Sequence, residues 1–217
     1  MRIGAAVAAL LLAGSAAAQP SERRGAPAGA FDFYVLALSW SPGFCEAEGD
    51  AKGREQCAAG AGLGFVVHGL WPQFERGYPS FCEPEGRNPS RPALAEAAGL
   101  FPDEGLARYQ WRKHGSCAGG SPADYFRDVR RARELVRVPD RLNAPASPTR
   151  AVPLDIERAF AEANPGLRPE MMAVQCRRQI LQEIRICLNR DLRGFRACPE
   201  VDRDACRAGE IAVPAPR

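Results

Sequence analysis

Phe65-Val66-Val67-His68-Gly69-Leu70-Trp71-Pro72-Gln73 carries one of only two histidines in the 217-residue chain, and Tyr109-Gln110-Trp111-Arg112-Lys113-His114-Gly115-Ser116-Cys117 carries the other. An imidazole titrates near neutrality, at about 6.5, so one histidine can act as a base while another acts as an acid. Two suffice for a proton relay and are too few for most zinc sites. Gly64 to His68 reads as a strand whose end presents His68, with Gly69 letting the chain turn away. Leu106 to Gly115 reads as a helix in which Gln110, Lys113 and His114 fall at i, i+3 and i+4 and share one face. Arg108 and Arg112 allow the same segment to be read as an ordinary solvated helix. Trp111 falls on the opposite side, where a core role is expected.

Outward from these runs the pattern is mixed. Phe31 to Trp40 is apolar on both faces, as in a strand of a sheet covered on both sides. Ser121-Pro122-Ala123-Asp124 is a helix start, with Ser as N-cap, Pro at the first position and an acid in the first turn. That helix is expected to bury Phe126, Val129 and Leu135. A shorter one is predicted over Asp155 to Ala163, stopped by Asn164-Pro165-Gly166. Met171 to Cys176 and Ile180 to Leu188 read as strands, the latter with Ile180, Ile184, Ile186 and Leu188 on one face. No internal repeat or heptad pattern is present. Strands interspersed with separate helices give the α+β class.

Residues 1–18 show a charged start, a short apolar core and a run of small residues, which predicts a signal peptide cut after Ala18. The apolar core is shorter than the ~20 residues that cross a bilayer, so no membrane anchor is expected. Residues 19–30, rich in Pro, Gly, Ala and charge, read as a flexible lead-in. Residues 31–217 are then one domain, long enough for a sizeable core. A formal charge of +3 gives no strong field for polyanions. Of 29 cations only Lys52 and Lys113 are lysines, which sets off the one beside His114. All eight cysteines follow the predicted cut, and an even count in an exported chain reads as a disulfide framework with 105 conceivable pairings. No Cys-x-x-Cys pair suggests a metal cluster. A periplasmic or secreted location follows.

His68-Gly69-Leu70-Trp71-Pro72 followed by Trp111-Arg112-Lys113-His114-Gly115-Ser116-Cys117 resembles the ribonuclease T2 family. The resemblance extends to Ser39-Trp40-Ser41-Pro42-Gly43-Phe44-Cys45 and to Glu183-Ile184-Arg185-Ile186-Cys187-Leu188. It implies a central antiparallel sheet flanked by helices, with RNA as partner and no cofactor or metal. Together with loop lengths it favours Cys45 with Cys57, Cys82 with Cys117, Cys176 with Cys206 and Cys187 with Cys198. By that likeness His114 is the base, His68 the acid, and Lys113 the cation that stabilises the transition state. The expected protein is a monomeric, exported, metal-independent endoribonuclease of broad base preference, producing 2′,3′-cyclic phosphate ends.

Trp71 offers a π-face on which any base can stack, and Gln73 could read that base's edge; a core aromatic is the alternative for Trp71. Two positions depart from the family pattern. Tyr109 stands where a phosphate-contacting histidine is common, and Gln110 replaces a catalytic carboxylate. Both can still donate hydrogen bonds to phosphate, but Gln110 brings no charge to a neighbouring imidazole. A family member that has lost catalysis and only binds RNA or protein is the competing reading. The presence of both histidines favours the enzyme.

Overall fold

The computed structural model describes residues 21–50, 55–82, 88–143 and 145–217, so the leader read over residues 1–18 lies outside the described residues. In chain order the elements are β1 (Glu22–Arg24), β2 (Phe33–Trp40), α1 (Ser41–Phe44), β3 (Phe65–Gln73), β4 (Tyr78–Ser80), α2 (Arg91–Ala95), α3 (Glu104–Lys113), α4 (Pro122–Leu135), β5 (Thr149–Ala151), α5 (Pro153–Ala163), β6 (Met172–Arg177), β7 (Ile180–Asn189), α6 (Pro199–Arg203) and β8 (Ile211–Val213).

β2 is apolar on both faces because both are covered. Tyr34, Leu36, Leu38 and Trp40 enter the main core, while Phe33 and Val35 join a smaller cluster with Cys187 and Cys198 on the other side. β2 pairs antiparallel with β3 on one edge and β7 on the other, and β6 pairs antiparallel with β7. β8 meets β7 in parallel at Ile180 and Ala212, then pairs with β5. The long strands are therefore antiparallel, as expected, and β8 makes the sheet mixed. Trp111 of α3, Phe126 and Val129 of α4, and Ile156 and Phe160 of α5 fill the main core against Ile184, Ile186 and Leu188. Burying each such side chain contributes about 1.5–3 kcal/mol.

Local chemistry sets the helix ends. The Asp103 carboxylate accepts from Leu106 N–H at 2.7 Å, so α3 begins two residues before the expected Leu106. Ser121 and Asp124 form a reciprocal capping box at the start of α4. Tyr125 and Ala132 complete its buried face, whereas Leu135 is half-buried at its margin. Pro153 at the first position starts α5 two residues before Asp155.

The lead-in differs from its reading. Composition suggested mobility over residues 19–30, but β1 pairs in parallel with β4, Glu22 opposite Tyr78 and Arg24 opposite Ser80. Arg23 and Arg24 lie over the rings of Phe74 and Phe81. Gly29 N–H donates to the Cys117 carbonyl at 2.9 Å, and Arg190 donates to the carbonyls of Gly29 and Phe31. These partners are remote in sequence, and local composition carries no trace of them.

Four disulfides join Cys45 to Cys57, Cys82 to Cys117, Cys176 to Cys206, and Cys187 to Cys198. Cys198 immediately precedes α6 and Cys206 closely follows it, so this short helix is tied to β7 before it and β6 after it. No helix among the described residues is long and apolar enough to cross a membrane.

Candidate active site

His68 does not end its strand. β3 continues to Gln73, and the register places Ala37 opposite Gly69 but Leu38 opposite Val67, which leaves His68 as the extra residue of a β-bulge. Alternation would put residues three apart on opposite faces. The bulge resets the count, so Val67 and Leu70 both enter the core while His68 and Trp71 both line one cleft with Gln73. Gly69 has a different use from the turn expected of it. A Cβ there would sit 2.2 Å from Oε1 of Gln110 and 2.3 Å from Nε1 of Trp71. Only glycine leaves room for those two groups to meet.

The second histidine caps α3. His114 leaves helical geometry, and a 3-10 turn over Gly115–Ala118 follows, ended by left-handed Gly119. Phe81 N–H donates to the Lys113 carbonyl at 2.8 Å and Cys82 N–H to the Ser116 hydroxyl at 3.1 Å. With the Cys82–Cys117 disulfide, these bonds hold the His114 segment against the chain that follows β4. Trp111 is buried in the main core, on the side away from the cleft.

The cleft has a volume of about 500 Å³ and is lined by all seven residues singled out in the sequence: His68, Trp71, Gln73, Tyr109, Gln110, Lys113 and His114. Both imidazoles pack against one indole. The His68 ring meets Trp71 edge-on at 5.2 Å between centroids, and the His114 ring stacks on it at 5.3 Å. Trp71 Nε1–H donates to Gln110 Oε1 at 2.9 Å, and the Arg185 guanidinium lies over the same indole. Part of the surface expected to stack an RNA base is thus occupied within the protein. Gln73 turns its amide onto the Pro72 carbonyl at 2.9 Å, and Tyr109 is exposed.

The two histidines stand in opposite electrostatic settings. Burial, followed by the charges of Lys113 and His68, holds the His114 imidazole well below its ordinary value, and its buried Nδ1 has no hydrogen-bond partner among the described residues. It is neutral at pH 7. Nδ1 of His68 is 2.5 Å from Oε2 of Glu183, whose Oε1 accepts from Arg185 Nε at 2.9 Å. Burial opposes the charge on Glu183, but His68 and Arg185 outweigh it and hold the carboxyl below the usual range. An ionised carboxylate only accepts hydrogen bonds, so the hydrogen between it and the ring belongs to Nδ1.

Residues 31–198 match the ribonuclease T2 family. A ribonuclease of Aeromonas hydrophila is 39% identical over 168 residues, covering 76% of this chain and 74% of that protein. The chain belongs to the ribonuclease T2 family. A probable ribonuclease of Haemophilus influenzae is 37% identical over 121 residues, half of this chain and 44% of its own length. Among solved structures, an RNase-related protein from Calystegia sepium shares the fold with a TM-score of 0.65 at 21% identity, covering 86% of this chain and 98% of that one.

As a T2 ribonuclease the protein is an endoribonuclease acting on RNA. Its cleft also contains residues that sequence reasoning missed: Tyr78, Arg185, Glu200, Val201 and Asp204. Glu183 and Arg185 alternate with Ile184 and Ile186 along β7, on the face opposite the apolar one. The available signal is that both are charged residues in the middle of a strand whose flanking residues Leu181, Ile184, Ile186, Cys187 and Leu188 are apolar. A second groove of about 550 Å³, between β3 and the start of α3, shares His68 and Tyr109 with the first.

Proposed function

We propose that this ribonuclease cleaves single-stranded RNA by transphosphorylation, without a metal ion, as a single-domain, monomeric, exported protein. RNA carries its own nucleophile, the 2′-hydroxyl, so the reaction needs a base for that proton and an acid for the departing 5′ oxygen. His114 takes the proton, since its buried, neutral imidazole has a free lone pair at pH 7. His68 supplies one, since its Nδ1 is tied to a carboxylate and Nε2 is left for the substrate. The phosphorus–5′-oxygen bond breaks as the 2′-oxygen bond forms, giving a 2′,3′-cyclic phosphate. Lys113 stabilises the charge that grows on the non-bridging oxygens. Tyr109 and Gln110 help hold the phosphate.

The observation that carries this reading is the contrast between two imidazoles packed on one indole, one neutral by burial and the other bound to an ionised carboxylate. The RNA nucleobase rests against Tyr78 and the uncovered part of Trp71, with Gln73 at its edge; stacking without a fixed edge pattern gives broad base preference. Four disulfides and the apolar leader support export to the periplasm or medium.

Incubating the oxidised protein from Gln19 onward with RNA and with matching DNA, in EDTA, tests the reaction. Cyclic-phosphate ends on RNA, intact DNA, and loss of cleavage in both His68→Ala and His114→Ala are expected. Cleavage of DNA, dependence on added metal, or near-normal turnover in either variant would overturn it.

A further inference from the structure

We infer that Glu183 is the positioning residue of the acid His68: it holds the ring's hydrogen on Nδ1 and so aims Nε2 at the leaving oxygen. The inference rests on the assignment of His68 as the acid. Three observations carry it. The contact is short, 2.5 Å, and the Glu183 side chain is only 8% exposed. Its second oxygen is held by Arg185 Nε at 2.9 Å, so the carboxylate cannot swing away. Its place is set by the sheet and not by a loop: Ser39 of β2 pairs with Val66 on one side and Glu183 on the other, two positions before the bulged His68.

The groups that face His68 come from several elements. Glu183 and Arg185 come from β7, and Tyr109, Lys113 and His114 from α3 and its cap; Asp103, at the start of α3, lines the second groove with His68. Among the described residues, Glu183 is the one bonded to the ring. A free imidazole in water favours the hydrogen on Nε2, the tautomer in which Nε2 cannot take back a proton. With Nδ1–H donated to Glu183, the protonated ring releases its Nε2 proton to the 5′ oxygen as the phosphorus–oxygen bond breaks. The neutral ring that remains already carries the right tautomer for the reverse transfer in hydrolysis of the cyclic ester. Position 110, where the family commonly has a carboxylate, is neutral here, and the carboxylate bonded to an imidazole is Glu183 of β7.

Two measurements test the inference. In the wild-type protein, long-range ¹H–¹⁵N spectra resolve two histidines, and His114→Ala identifies the His68 signals. Neutral His68 is expected as the Nδ1–H tautomer. An Nε2–H tautomer overturns the inference whether or not any Glu183 variant folds, and whether or not the protein cleaves RNA. The second compares substrates: Glu183→Gln should slow a dinucleotide by about 100-fold, the size of a general-acid contribution. It should barely slow a uridine 3′-nitrophenyl phosphate, whose leaving group needs no proton. Equal losses on both substrates would reduce Glu183 to a structural role.

Discussion

The Trp71 indole donates to the Gln110 amide oxygen at 2.9 Å directly above the Cα of Gly69, so a bond between the two histidine-bearing segments passes through a space only glycine leaves open. Gly69→Ala puts a methyl group 2.2 Å from one partner and 2.3 Å from the other. Overpacking of this kind costs about 1–3 kcal/mol. The variant should melt lower and lose activity beyond the loss of folded protein, since both imidazoles rest on the displaced indole. Thermal denaturation and kcat/KM on one preparation check it; unchanged values would mean the two side chains move aside freely.

The direction of the His114 shift fixes an acid limb. On the proposed mechanism His114 is the base and must be unprotonated, and its imidazole lies well below the ordinary value. The fall of kcat/KM on acidification should therefore come below pH about 6.5. Stability has the same sign: the unfolded chain binds a proton that the folded chain refuses, so stability falls as pH drops from about 6.5 toward the folded value. Gln110→Glu places a charge one helical turn before His114, favours its protonated form and moves the limb to higher pH. Rates on a dinucleotide from pH 4 to 8 decide it, and a limb that stays in place refutes the coupling.

Lys113→Ala should lower kcat by about 100-fold or more, the scale of a lost transition-state donor, and should change KM much less. Arg185 remains in the cleft to attract the substrate. A rise in KM with normal kcat would assign Lys113 to binding alone.

The Cys82–Cys117 disulfide joins the chain just after β4 to the turn that follows His114. Replacing both by serine should cost about 2–5 kcal/mol, as for native disulfides of small exported domains. Denaturant titration measures the loss.

The two-faced apolar run of β2 and the capping box of Ser121 were legible because their causes lie within a few residues. The pairing of His68 with Trp71 on one face was not. A period-two pattern assumes an unbroken ladder, and the single extra residue that reverses it is visible only once Ala37 and Leu38 have found partners. Glu183 escapes such a reading for the same reason: its partner His68 comes from β3, more than a hundred positions away. The cleft residues of α6 depend on chain brought in by disulfides, and spacing along the sequence records none of that.

One wall of the cleft, with Glu200 and Val201, is a helix of five residues capped by Asp204, too short to persist alone. It keeps its place because sulfur anchors it at either end. A thiol-rich cytosol removes both anchors, whereas an oxidising space restores them. On the proposed export of this chain, full nuclease activity is therefore expected only after oxidation, and reduction is expected to loosen this wall of the cleft.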